Sequence, residues 1–145
     1  MNISKKKYEI IIQAGGSGSR LRHFTWNKPK CLVSYEGKPV IFYLFDLFQN
    51  SRFHIVGDYQ IDKIKKYFKI NPPTIDFKIY KTTEKGTCSG IKDTLKYIDE
   101  GKEILLLWSD LIVKKLPVFK KSPTIVTTSS FTCRWSLQNN KLVEK

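Results

Sequence analysis

Tyr8-Glu9-Ile10-Ile11-Ile12-Gln13-Ala14-Gly15-Gly16-Ser17-Gly18-Ser19-Arg20-Leu21, with Lys28-Pro29-Lys30 a short way on, decides how this chain folds. The first six residues make a β-branched apolar run of the kind that becomes a buried strand. A glycine-rich turn follows at once, and behind it come two cations, Arg20 and Lys30. Strand, turn and paired cations suit a polyphosphate. Glycines let backbone N–H groups close on phosphate oxygens, because no Cβ intervenes. Arg20 can grip two oxygens through its planar fork, while Lys30 offers a mobile point charge. A plain strand-to-helix turn would need neither cation.

Working outward, the pattern alternates. Residues 39–48 are apolar nearly all round, with Pro39 set to open a buried helix and positions 40, 41, 44, 45 and 48 facing a core. Residues 53–57 read as a short strand ended by Gly57. Residues 59–68 carry Ile61, Ile64 and Phe68 at helical spacing. Asn71-Pro72-Pro73 breaks the chain before 74–80, whose alternation marks a strand. A helix opens near Thr87 and is expected to turn Ile91, Leu95 and Ile98 inward. Residues 103–108 read as another buried strand, and 123–128 and 131–135 as two more. Strands alternating with helices predict βαβ units and a mostly parallel sheet with helices on both faces. Ligand loops then gather at the C-terminal ends of the strands, so residues 15–20 and Asp110 should share one edge. Asp110, a carboxylate ending a strand opposite a triphosphate loop, suits Mg²⁺, which takes one or two carboxylates plus phosphate oxygens and waters.

Composition narrows the function. The chain has 145 residues, 41% apolar and 13% aromatic, enough for one domain with a real core and too apolar for disorder. No run approaches the ~20 apolar residues of a membrane span. The basic N-terminus has no apolar stretch behind it and does not read as a secretory signal. Cys31, Cys88 and Cys133 are odd in number and lack metal-ligand spacing, which predicts reduced thiols and a cytoplasmic location. Lys and Arg number 26 against 13 acids, a formal net charge of +13. That balance favours polyanionic ligands. No nucleic-acid-binding signature accompanies it, so much of the charge reads as a solvated lysine-rich surface and nucleic acid is disfavoured as a partner.

The loop lacks the Gly-Lys-Ser/Thr of a P-loop, and Leu21 stands where a dinucleotide fingerprint needs its third glycine. What Ile10 through Leu21 resembles, with Pro29-Lys30 and Gly37-Lys38-Pro39 in register, is the signature of the sugar-phosphate nucleotidyltransferases. The resemblance implies a Rossmann-like, GT-A-like three-layer core. It implies Mg²⁺-dependent transfer of a nucleoside monophosphate from a nucleoside triphosphate to a sugar 1-phosphate, with release of pyrophosphate, in nucleotide-sugar and polysaccharide biosynthesis. Carried over residue by residue, it makes Arg20 and Lys30 catalytic. Gln13, Ala14, Gly15, Gly16, Ser17, Gly18 and Ser19 bind the nucleotide, joined by Gly86 and Thr87, which match a second glycine element. Asp110 holds the metal, and Glu144 and Lys145 contact the acceptor. Ser19, Gln13, His23 and Ser109 depart from the family's usual Thr, apolar residue, Pro and Gly. The changes at Gln13 and His23 bear on the base pocket.

The resemblance covers nearly all of this chain but only the first part of a typical member. The expectation is therefore a single catalytic core over 1–145, truncated before the acceptor-site part. Two alternatives stay open. Some relatives transfer CMP to small phosphoesters such as phosphocholine, and Trp108, Trp135 and Phe131 stand where such an acceptor would want aromatic rings. A nucleotide- or RNA-binding module that kept the fold without the chemistry is the other. His23 and His54 read as structural, because a phosphate acceptor is already ionised and needs no base. Base, acceptor and oligomeric state are left undecided.

Overall fold

A computed structural model describes residues 7–84, 86–113, 116, 123–126, 135–139 and 141–144. The chain divides into two compact units, Met1–Lys114 and Lys115–Lys145.

The first unit is built on a four-stranded sheet. Strands β1 (Glu9–Gln13), β4 (Arg52–Gly57), β5 (Asp76–Lys81) and β6 (Ile104–Trp108) lie in the order β5-β4-β1-β6, all parallel. The two-residue strands β2 (Ser34–Tyr35) and β3 (Lys38–Pro39) form a small hairpin. Its turn residues Glu36 and Gly37 both have positive φ, 46° and 80°, the geometry of a two-residue type I′ turn. Helices α1 (Val40–Leu47), α2 (Ile61–Ile70) and α3 (Thr87–Leu95) connect the strands. The chain steps from β1 through β4 to β5, and α3 then carries it back past β1 to β6. Ile10, Ile11 and Ile12 are all buried, as a central parallel strand covered on both faces requires.

Aromatic residues hold one face. The Phe45 ring of α1 lies 4.9 Å from Phe53 of β4, and Phe68 of α2 lies 5.2 Å from Phe77 of β5. Val56, three residues from Phe53 and therefore on the other face, meets Gly90 of α3. Helices thus cover both faces, as the alternating pattern predicts. On the α3 face, buried His54 sits between Glu9 Oε2 at 2.7 Å and the Tyr80 hydroxyl at 3.1 Å, and Tyr80 stacks on Tyr97. His54 is a core residue held by both ring nitrogens, which agrees with its structural reading.

Four details differ from the sequence expectations. The first helix begins at Val40, because pairing with β2 keeps Pro39 extended at ψ 137°. In α3 the buried positions are Gly90 and Thr94, not Ile91, Leu95 and Ile98; Leu95 is 43% exposed. The helix packs too closely for larger residues there: a Cβ on Gly90 would lie 2.8 Å from Thr82 Cγ2, and the Thr94 hydroxyl donates back to the Gly90 carbonyl at 2.8 Å. Strand β6 is not buried. It pairs only with β1 among the described residues, and Ile104, Leu106 and Trp108 alternate outward, 41%, 39% and 52% exposed. Residues 123–126 form no strand, and Ile125 and Val126 are exposed without a ladder partner; 127–134, including most of the last expected strand, lie outside the described residues.

The second unit contains an antiparallel hairpin, β7 (Trp135–Gln138) with β8 (Lys141–Glu144), closed by a turn at Asn139, φ 47°. Asparagine tolerates left-handed backbone, so the Asn139-Asn140 pair was a readable turn signal. No described helix is long and apolar enough to cross a membrane.

Candidate active site

The parallel strands end together, and their loops enclose a cleft of about 290 Å³. Its floor is backbone. Ala14 N–H donates to the Val56 carbonyl at 2.7 Å, and Ser109 N–H donates to the Gln13 carbonyl at 3.1 Å, so the ends of β4 and β6 are tied to that of β1. Gly15 and Gly57 then pass in near contact. A Cβ on Gly57 would stand 2.6 Å from Gly15 N and 2.7 Å from Gly15 Cα. Only glycine permits that approach. Gly16 is different: nothing lies within 4 Å of where its Cβ would point, and it faces the cleft. Gly18 turns the loop with φ 66°, and its carbonyl accepts from Leu21 N–H and the Thr25 hydroxyl, which start the 3₁₀ segment Ser19–Thr25.

Lys30 reaches the cleft from a second 3₁₀ turn, Lys30–Leu32. That turn is pinned by buried Cys31 and Leu32. Burial pushes the Cys31 thiol up to about 12, outweighing a backbone hydrogen bond that acts the other way. The Lys30 ammonium forms an ion pair with the Asp110 carboxylate. Opposite them, Gly86 and Thr87 bring the N-terminus of α3 to the cleft. Gln13 Nε2 donates to the Thr87 carbonyl at 3.4 Å, joining the two sides.

Of the residues singled out from sequence, Gln13, Gly15, Gly16, Lys30, Gly86, Thr87 and Asp110 come together around this one cleft. The shared edge expected for the glycine loop and Asp110 is there. Ala14 is buried beneath the loop, while Ser17, Ser19 and Arg20 are exposed and do not line the cleft, nor does Gly18. Arg20 sits on the 3₁₀ segment and has no ion-pair partner among the described residues. Glu144 lies in β8 of the second unit; Lys145 and Phe131 lie outside the described residues. Trp108 lines the cleft and Trp135 opens β7.

Sequence reading missed Asp58, which follows β4 as Asp110 follows β6 and also lines the cleft. The signal was present, since every strand end of a parallel sheet reaches the same edge. No cluster of three metal-ligating side chains occurs among the described residues. Asp110, one partly exposed carboxylate beside a phosphate-type loop, fits a hard cation that takes its other oxygens from phosphates and water. A second cavity of about 250 Å³, lined by Phe42, Phe45, Pro72 and Pro73, contains no cation and no glycine loop, and so has nothing to hold a polyphosphate.

The family model for nucleotidyl transferases matches residues 9–126. A CTP:phosphoglutamine cytidylyltransferase of Campylobacter jejuni is 33% identical over 138 residues, covering 87% of this chain and 54% of that protein. A D-glycero-alpha-D-manno-heptose 1-phosphate guanylyltransferase of the same organism is 29% identical over 103 residues, 67% of this chain and 46% of that one. The inositol-1-phosphate CTP transferase of T. maritima superposes with a TM-score of 0.59 at 23% identity, over 72% of this chain and 44% of that chain, which shows a shared fold. The chain spans about half the length of these proteins.

Proposed function

The chain belongs to the nucleotidyl transferase family, and we propose that its cleft binds a nucleoside triphosphate and transfers the nucleoside monophosphate to a phosphorylated small molecule, releasing pyrophosphate. The observation that carries this reading is the meeting of Lys30 and Asp110 beside Gly15 and Gly16 at one edge of a parallel sheet. An acceptor phosphate attacks the α-phosphorus in line, and pyrophosphate leaves. There is little covalent work for the protein, so positioning and charge stabilisation dominate.

In this reading backbone N–H groups from Gly16 to Ser19 cradle the β- and γ-phosphates. Lys30 leaves Asp110 and bridges the α-phosphate and the incoming phosphate, screening their repulsion. Arg20, a cation directly behind the loop with no ion-pair partner among the described residues, takes up charge on the departing pyrophosphate. Asp110 would hold Mg²⁺, which withdraws charge from the phosphates when bound. Sugar 1-phosphate is the first candidate acceptor. The second is a small non-sugar phosphate such as a phosphoester of phosphocholine type, and the cytidylyltransferase relative, whose name specifies phosphoglutamine, supports an acceptor that is not a sugar. The thiols of Cys31 and Cys88 are both free, in keeping with the cytoplasm as the working location.

The test is calorimetric titration of the chain with ATP, CTP, GTP, UTP and dTTP, each with Mg²⁺ and with EDTA. Saturable binding of at least one nucleotide, lost in EDTA, is expected. No binding of any of the five refutes the reading.

A further inference from the structure

Two carboxylates straddle the glycine loop. Gln13 at the end of β1 pairs in register with Val56 of β4 on one side and Trp108 of β6 on the other. Asp58 stands two residues beyond Val56, and Asp110 two residues beyond Trp108. With strands about 4.8 Å apart, the two positions are on the order of 10 Å apart across β1. That is the scale separating the base of a nucleotide from its phosphates.

The two are not equivalent. Asp110 is neutralised by Lys30. Asp58 has no cation partner among the described residues. Its Oδ1 accepts the Tyr59 N–H at 2.6 Å and lies over Gly15, so close that a Cβ there would stand 2.8 Å from it. Its other oxygen has no donor among the described residues. Among the described residues the walls on that side are Gly57, Thr82, Gly86 and Thr87, none of them cationic. A polyphosphate would be repelled by Asp58 and attracted by Lys30, which orients the ligand: phosphates toward β6, base toward β4 and β5.

From this placement we infer that Asp58 reads the nucleobase and selects bases that carry an exocyclic amino group. The inference rests on the proposed nucleotide site and extends it to the choice of base. An ionised carboxylate only accepts hydrogen bonds. Cytosine, adenine and guanine offer it amino N–H donors. Uracil and thymine offer the carboxylate only N3–H, which is flanked on both sides by carbonyl oxygens that repel it. The amino groups of the other three bases project a donor clear of the ring. A site built around such a polar contact discriminates strongly against an analogue lacking it. UTP should therefore bind on the order of 10- to 100-fold more weakly than the best amino-bearing nucleotide. Asn at position 58 presents a donor as well as an acceptor, and should shrink or reverse that ratio.

The experiment is the same five-nucleotide titration with Mg²⁺, on the wild-type chain and on Asp58→Asn, with thermal melting to confirm that the variant folds. Preference for CTP, ATP or GTP over UTP in the wild type, reduced at least tenfold in Asp58→Asn, supports the inference. Wild-type binding of UTP as tight as that of every amino-bearing nucleotide overturns it while leaving the nucleotide site intact, and needs no variant. Equal loss of all five in Asp58→Asn also overturns it, assigning Asp58 to the ribose or to loop geometry. Absence of nucleotide binding in the wild type removes the site itself.

Discussion

Gly57→Ala isolates the contact on which the cleft depends. The φ of Gly57 lies outside the left-handed region, so alanine brings no backbone strain and only its Cβ is at issue. That Cβ would stand 2.6 Å from Gly15 N, 2.7 Å from Gly15 Cα and 2.9 Å from Ala14 C, all backbone. Ordinary contact is about 3.5 Å, so the shortfall is on the order of 0.6–0.9 Å. No rotamer change can relieve it. Either β4 moves away from β1, straining the 2.7 Å bond from Ala14 N–H to the Val56 carbonyl, or the glycine loop is pushed off its seat. Overpacking of this kind costs about 1–3 kcal/mol, a large part of the ~5–15 kcal/mol that holds a domain folded. With a urea slope of about 1–3 kcal/mol/M, the midpoint should fall by roughly 1 M, and nucleotide affinity should fall with it. Gly16→Ala is the matching control, because its Cβ would meet nothing within 4 Å. Its urea midpoint should hold or rise slightly, through a less flexible unfolded chain, while nucleotide binding weakens because the methyl fills the phosphates' approach. Urea unfolding followed by circular dichroism, with calorimetry on both variants, decides the matter. A Gly57→Ala midpoint within error of wild type refutes the packing argument. Destabilisation by Gly16→Ala as large as that by Gly57→Ala refutes the division of labour between the two glycines.

Asp110→Asn should abolish Mg²⁺-dependent nucleotide binding yet shift unfolding by less than about 0.5 kcal/mol, because its pair with Lys30 is partly exposed and contributes little to stability; parallel calorimetry and urea titration measure both. Arg20→Ala should lower kcat on the order of 10²–10³-fold and weaken nucleotide binding far less, as loss of a transition-state charge contact does; equal losses in the two would remove Arg20 from the leaving group. Under native conditions iodoacetamide should modify exposed Cys88 and spare Cys31, with mass spectrometry reading the sites. The Cys31 thiol also sets an alkaline limit. Its contribution is complete below 9.0 and is lost as pH rises from there toward about 12, because the unfolded chain ionises first. The loss is on the order of 4 kcal/mol by the upper limit of pH 12, and Cys31→Ala should flatten that limb of the stability profile.

Much of the fold was legible in the sequence because its elements are governed locally. The β-branched run before Gly15, the spacing of Ile61, Ile64 and Phe68, and the Asn71-Pro72-Pro73 break each depend on a few neighbours. Strand-helix alternation then implies a parallel sheet, and a parallel sheet implies one ligand edge, so Asp110 and the glycine loop were expected together before their positions were known. What only the tertiary structure decided depends on how closely elements approach. Period alone turned Ile91, Leu95 and Ile98 inward, but α3 lies so near Thr82 and Val56 that only Gly90 and Thr94 fit. The apolar run of β6 reads as buried, yet in the β5-β4-β1-β6 order it has one neighbour among the described residues, and neighbours set burial. Asp58 is an ordinary residue in the sequence. It becomes part of the cleft because Gly15 and Gly57 lack Cβ atoms and let β1 and β4 close on each other.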